Sequence, residues 1–197
     1  GRHVLLRTLD EVASWNEALG DTPFYAAVNV SGRQLQEPGF AQMVLDSVSR
    51  SGVPPSRLLL EITESIFIDD TEVMRTALTS LADGGIRLGL DDFGTGYSSL
   101  SQLHKFPVSQ LKIDKSFVAR LDRGEEDQVL VEAIVQLAQA LKLDVVAEGI
   151  ETDVQLDLLS RLGCRRGQGW LLGRPQPSES IARLISSQSH RFSLVGV

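Results

Sequence analysis

The sequence predicts an α/β protein of parallel strands, closed as a TIM-like (β/α) barrel rather than spread as an open sheet. Short apolar runs alternate with amphipathic segments about six times along the chain. That alternation gives parallel strands joined by right-handed crossovers. Closure is indicated by where the polar residues fall. Asn29, Glu61, Asp91, Asp92, Lys112, Glu148 and Gln168 stand near the C-terminal ends of apolar runs, the two aspartates sharing one. An open sheet would fan such ends along a line. A barrel gathers them into one ring, the usual build of an active site on that fold.

The elements follow in order. Val4, Leu5, Leu9, Val12 and Trp15 recur at helical spacing and predict a helix over the face of a strand. Residues 24–30 form a short apolar strand ending in Asn29-Val30-Ser31. A polar loop is expected from Gln34 to Gly39, then an amphipathic helix over 40–51 (Phe40, Val44, Leu45, Val48) broken by Pro54-Pro55. Residues 57–63 make a second strand carrying Glu61, and Val73, Leu78 and Leu81 predict a helix at about 70–83, stopped by Gly84-Gly85. Ile86, Leu88 and Leu90 read as barrel or sheet interior, in a strand that delivers Asp91 and Asp92 into a glycine-containing loop. That loop and a short helix lead to Pro107. Residues 109–114 form a strand around Lys112. Val129, Ala133, Leu137 and Leu141 mark the apolar spacing of a helix at about 125–141. A strand at 143–148, a helix at about 152–161, a segment from Cys164 through Gln168 and a last helix at about 178–188 complete the pattern.

At 197 residues the chain suits one well-packed domain. Its 42% hydrophobic and 23% charged content is ordinary for a globular protein. No stretch is long and apolar enough to cross a bilayer, and no signal peptide is visible. The net charge of −7 argues against DNA or RNA as a partner, since nucleic-acid binders normally carry a basic surface. It leaves open a small anionic ligand, because an acidic site can take phosphates through bridging metal ions. The single cysteine, Cys164, excludes an internal disulfide and suits a reducing, cytoplasmic setting.

Two adjacent aspartates at a strand end repel unless a metal ion, a lysine or an open water-exposed mouth relieves them. The plain alternative is an Asx-turn that merely ends the strand. Four carboxylates, an amide and a lysine converging on one ring suggest a hard cation held by oxygen, magnesium or manganese rather than zinc. His3, His104 and His190 are not near strand ends, and Cys164 has no thiolate partner. Adjacent aspartates can share two ions, the arrangement used for in-line displacement at phosphorus. Lys112, flanked by Leu111 and Ile113, reads as an inward-pointing group that holds an attacking water or neutralises charge. A solvated lysine is the alternative.

The motifs Asn29-Val30-Ser31, Glu61-Ile62-Thr63-Glu64-Ser65, the run Asp91 to Leu100, Leu111-Lys112-Ile113-Asp114, the run Ala147 to Thr152, and Gly167-Gln168-Gly169-Trp170 occur in this order across nearly the whole chain. In that set the sequence resembles an EAL domain, the bacterial cyclic-di-GMP phosphodiesterase module. The resemblance implies a barrel of EAL type that hydrolyses cyclic-di-GMP to linear pGpG with two Mg2+ or Mn2+ ions. Asn29, Glu61 and Asp91 would bind one ion; Asp91 would bridge to a second, joined by Asp92 and Glu148. Glu148 is also cast as general base, and both roles stay open. Lys112 would contact the catalytic water, and Gln168 would line the substrate. Glu64 and Glu151 would hold the loop at 93–99, which positions metal and substrate and helps dimer formation. The alternative for those two is N-terminal helix charge, worth about 0.3–1 kcal/mol. Trp170 stands where tyrosine is commoner.

The departure from the family lies at the front. The motif that names the family belongs on an early strand upstream of Asn29, whereas Glu17-Ala18-Leu19 ends an amphipathic helix. A complete barrel runs to about 250 residues. The resemblance therefore implies an N-terminally incomplete barrel, missing its opening strand(s) and one metal-binding glutamate. It also implies a homodimer and a longer multidomain signalling protein fused to sensor or GGDEF-type domains, cytoplasmic or tethered to the inner membrane through those domains. Two other readings compete: a catalytically inactive receptor that binds cyclic-di-GMP or a module that binds a partner protein, and a magnesium-dependent barrel lyase with Lys112 as base.

Overall fold

The computed structural model describes residues 1–19, 23–67, 71–94, 103 and 105–187. Their order is α1 (Arg2–Leu19), β1 (Ala26–Asn29), α2 (Gly32–Leu35), α3 (Phe40–Ser51), β2 (Leu58–Thr63), α4 (Glu72–Asp83), β3 (Arg87–Phe93), β4 (Gln110–Ile113), α5 (Lys115–Val118), α6 (Glu125–Ala140), β5 (Asp144–Ala147), α7 (Asp153–Arg161), β6 (Arg166–Gly167) and α8 (Ser178–Ser187). Single 3-10 turns at Pro55–Arg57 and Glu64–Phe67 flank β2.

All six strands are parallel and pair in chain order from β1 to β6. The sheet is curled, because side chains meet across its hollow face. The Tyr25 hydroxyl, just before β1, donates to Gln110 Oε1 on β4 at 2.8 Å. The Arg87 guanidinium of β3 lies 4.5 Å from the centre of the Tyr25 ring and reaches Asp144 of β5 at 3.0 Å. The result is a partial TIM-like barrel, with six strands among the described residues against the eight of a closed one.

Period-two alternation sorts the strand residues. Leu58, Leu60, Ile62, Leu88, Leu90, Leu111, Ile113, Val145 and Ala147 face the helices. There they join one core with Leu5, Leu9, Val44, Met74, Leu78, Leu81, Val131, Ile134 and Val135. Each fully buried aliphatic side chain of this layer contributes about 1.5–3 kcal/mol. Leu88 and Leu90 thus belong to the sheet–helix layer, not to the lumen. The hollow face carries Leu59 and Val146, buried but outside that core, together with Arg87, Gln110, Asp144 and Arg166.

Helix ends follow from capping. Ser31 and Gln34 form a capping box that starts α2, so the segment expected to be a polar loop from Gln34 to Gly39 begins helical. Gly52 ends α3 in the left-handed region, ahead of the two prolines that were expected to break it. Thr71 caps α4, which begins at Glu72. Asp114 caps α5, and Thr152 with Gln155 boxes α7.

Three expectations about helix faces need correction. In α6 the buried positions are Val131, Ile134, Val135 and Ala138, while Val129 and Ala133 are exposed. Two apolar stripes of helical period overlap in that segment, and the one with the i, i+3, i+4, i+7 pattern meets the sheet. Val4 and Val73, which also matched helical spacing, point to solvent on α1 and α4. Glu17-Ala18-Leu19 lies in the last turn of α1, as the helical reading of that tripeptide expected.

Candidate metal centre and active site

The C-terminal ends of β1 to β6 meet at one rim, and each brings a polar group there. Asn29 ends β1 and is the Cα partner of Glu61 on β2, which in turn pairs with Gly89 of β3. Asn29 is exposed and Glu61 is buried, at 4% exposure. Lys112 sits on β4, Glu148 immediately after β5 and Gln168 immediately after β6. Glu148 is fixed by its own N–H, which donates to the carbonyl of Ile113 at 3.1 Å.

Consecutive strand residues ordinarily point to opposite faces, so Asp91 and Asp92 should part. They do not, because Asp92 adopts φ 56° and the pairing of β3 with β4 shifts register between Leu90 and Phe93. Aspartate is among the residues that tolerate the left-handed region, and a bulge of this kind re-aims a side chain. Carboxylate oxygens of Asp91, Asp92 and Glu148 thereby lie within 4.8 Å of one another.

Lys112 stands at the centre. Its ammonium lies 3.0 Å from Glu61 Oε2 and 3.2 Å from Asp91 Oδ1, and it also pairs with Glu148 Oε1. At 3% exposure it is no solvated surface lysine. Burial alone would lower its pKa, but Glu61, Glu148 and Asp91 outweigh that and hold it above the ordinary lysine value. Burial pushes the Glu61 carboxyl upward, as do Asp91 and Glu148, against the opposing pull of Lys112. Glu148 rises for the same reason, burial first, with Asp91 and Asp92 adding to it. Asp92 is raised by burial and by its carboxylate neighbours Asp91 and Asp114. Such opposed groups in one cleft mark functional sites more often than chance.

Gln168 donates to Glu148 Oε1 at 2.8 Å and so orients it. Gln168 is held there by an unusually close approach of two loops. A Cβ on Gly169 would lie 2.2 Å from the backbone nitrogen and oxygen of Ile150. That space lets Ile150 N–H donate to Gln168 O at 3.1 Å and Leu171 N–H donate to Ile150 O at 3.0 Å. Gly149, at φ 71°, similarly passes against Lys115, where a Cβ would come within 2.6 Å of the lysine Cβ. A cleft of about 550 Å³ opens beside Gly149, with Lys115, Ser116, Arg123 and Glu151 on its walls.

Of the two residues expected to hold the loop at 93–99, Glu64 is buried and its Oε2 accepts from Gly94 N–H at 3.0 Å. Glu151 is exposed; its N–H donates to Gln155 Oε1 at 2.8 Å. Residues 95–99 of that loop lie outside the described residues, as do His104 and His190. Trp170 is exposed, with the Arg174 guanidinium 4.8 Å from its ring centre.

The donor set fits hard divalent ions. Glu61 Oε1 is buried and has no hydrogen-bond partner, an orphan that a cation would satisfy. Every side-chain donor here that could meet a cation is an oxygen, and four carboxylates against one ammonium leave three negative charges to balance. Residues passed over in the sequence lie deeper on the same face: Tyr25, Arg87, Gln110, Asp144 and Arg166. They could have been found by stepping back two or four residues from Asn29, Asp91, Lys112, Glu148 and Gln168.

A curled parallel sheet with an acidic rim built around one lysine defines a barrel domain of enzyme-like architecture. The chain belongs to the EAL domain family, whose model matches residues 1–175. It is 40% identical over 186 residues to the bifunctional diguanylate cyclase/cyclic di-GMP phosphodiesterase MucR of Pseudomonas aeruginosa, covering 94% of this chain and 27% of that protein. Among solved structures, the EAL domain of Mycobacterium smegmatis DcpA superimposes with a TM-score of 0.90 at 41% identity, over 95% of this chain and 84% of that one. The MucR phosphodiesterase in complex with c-di-GMP gives 0.86 at 40% identity, over 92% and 73%. A manganese and c-di-GMP complex of Klebsiella pneumoniae BlrP1 gives 0.77 at 30% identity, over 88% and 44%. The chain spans under a third of the length of the curated relatives it matches, 27% of MucR and 30% of a Mycobacterium tuberculosis protein, Rv1354c.

Proposed function

We propose that this domain hydrolyses cyclic-di-GMP to linear pGpG, using a pair of divalent ions, Mg2+ or Mn2+, held at the rim. The observation that carries the reading is the convergence of Glu61, Asp91 and Glu148, from the ends of three different strands, on Lys112, with Asp92 turned to the same side. The relatives in hand add support: a cyclic di-GMP phosphodiesterase by name and structures holding manganese and c-di-GMP.

On this reading Asn29, Glu61 and Asp91 would hold one ion, and Asp91, Asp92 and Glu148 would hold the other. When bound, the ions supply an activated nucleophile and stabilise charge at phosphorus. The chain's own groups do the rest. Lys112 orients the attacking water and adds positive charge where negative charge develops. Glu148, oriented by Gln168, accepts a proton from the water. The water oxygen bonds to phosphorus as one ester bond breaks, and the leaving ribose oxygen takes up a proton. Gln168 faces the substrate, and Glu64 and Glu151 steady the loop at 93–99. We also propose that the domain works as part of a longer multidomain signalling protein, in the cytoplasm or tethered through other domains, whose remaining barrel strands supply a further glutamate, and that it pairs with a second copy.

The test is a Mn2+-dependent hydrolysis assay on the full-length protein. Asp91→Asn is expected to abolish turnover. Lys112→Met is expected to lower kcat by about 100-fold or more with a smaller change in KM. Binding of cyclic-di-GMP without any turnover by the intact protein would establish the receptor reading instead.

A further inference from the structure

Lys112 occupies a position that a metal ion would contest. Lys112 is 3% exposed, and its ammonium touches one oxygen each of Glu61, Asp91 and Glu148 from a strand that contributes no carboxylate to the ring. All three are residues that the reading above gives to the ions. Glu61 has its second oxygen buried without a partner, so lysine satisfies that side chain only in part. Asp92 lies within reach of Asp91 and Glu148.

We propose that Lys112 is a tethered stand-in cation: it holds the carboxylate ring together before metal arrives and must give up part of its contacts when metal loads, so that it sets the metal affinity of the site. Unpaired buried carboxylates would repel one another and carry a large desolvation cost. A lysine from the neighbouring strand relieves both without needing an ion from solution. The same charge then opposes an incoming dication, because like charges a few ångströms apart disfavour each other. The affinity of the ring for metal is therefore kept weaker than its ligand count alone would give. This inference rests on the proposed metal role of the ring, and its test separates the two.

Mn2+ binding is measured by isothermal titration on the wild type, Lys112→Met and Lys112→Arg, each also melted in chelator. Lys112→Met is expected to bind Mn2+ at least tenfold more tightly, about 1.4 kcal/mol, and to melt lower in chelator but close to the wild type in saturating Mn2+. Lys112→Arg, which keeps the charge, is expected to stay near the wild-type affinity. Equal or weaker binding by Lys112→Met overturns the proposal while leaving the metal reading intact. A wild type that takes up no Mn2+ overturns both. Should Lys112→Met not fold without metal, the wild type answers alone. The 15N signal of the Lys112 ammonium is expected to be protected from exchange in chelator and to shift on saturation with Mg2+, and a signal that Mg2+ leaves unmoved overturns the proposal.

Discussion

Gly169→Ala tests how the rim is braced. The new methyl would lie 2.2 Å from both the nitrogen and the oxygen of Ile150 and 2.7 Å from its carbonyl carbon, all backbone atoms that cannot rotate away. Overpacking of this kind costs about 1–3 kcal/mol. Relief by separation would break the Ile150–Gln168 and Leu171–Ile150 hydrogen bonds, worth about 1 kcal/mol each. Either way the cost is about 1–3 kcal/mol, a fall in melting temperature of roughly 5 °C for a domain of this size. Gly173→Ala is the control, since a Cβ there meets nothing within 4 Å. Far-ultraviolet circular dichroism melts of both variants read the difference. Because Gln168 orients Glu148, Gly169→Ala is also expected to lower turnover in whatever fraction remains folded. If the two variants melt together, the close approach of the loops is not a constraint, and the account of how Gln168 is positioned fails.

Further outcomes are expected elsewhere. Asp114 caps α5 by accepting from Ser116 N–H at 2.9 Å. Burial pushes its carboxyl up, but the Ser116 and Lys115 hydrogen bonds and the Lys115 charge more than offset this and leave it below the ordinary aspartate value. Its contribution is therefore present above the unfolded pKa of about 3.9 and lost as pH falls through the lower folded value. Asp114→Ala should cost about 1 kcal/mol at neutral pH, and urea unfolding at both ends of that range should show the gap closing in acid. Cys164 is buried, and burial pushes its thiol up to about 11. A thiol reagent at mildly alkaline pH should react with it only after unfolding, and stoichiometric labelling of the native protein would contradict its burial. Glu64→Ala should lower turnover more than it lowers Mn2+ affinity, since Glu64 Oε2 accepts from Gly94 N–H in the loop; equal losses in both would place it in the metal site.

Much of this was readable from residue order because barrels impose simple periods. Apolar runs of strand length foretold the parallel sheet and put Asn29, Glu61, Asp91, Lys112, Glu148 and Gln168 at or near the ends of its strands. Helix faces were harder. In α6 an apolar stripe at i, i+4 through Val129 and Ala133 runs beside the buried one through Val131, Ile134, Val135 and Ala138, and packing against β4 and β5 selects the latter. The capping box at Ser31 and Gln34 was visible as a serine followed three residues later by glutamine, yet its polar composition read as loop. The turning of Asp92 toward Asp91 depends on a positive φ and a register shift, which no local pattern announces. The placement of Lys112 among three carboxylates is likewise a property of strand order and curl. Its neighbours Leu111 and Ile113 indicate that it points inward but not what it meets.

Glu61, the pair Asp91 and Asp92, and Glu148, distant in sequence, gather at one rim, where we propose that they hold a pair of divalent ions. Anomalous scattering from crystals soaked in Mn2+ addresses it directly. Two manganese peaks are expected, one bounded by Asn29, Glu61 and Asp91 and the other by Asp91, Asp92 and Glu148. Peaks elsewhere, or none at saturating Mn2+, would contradict the account.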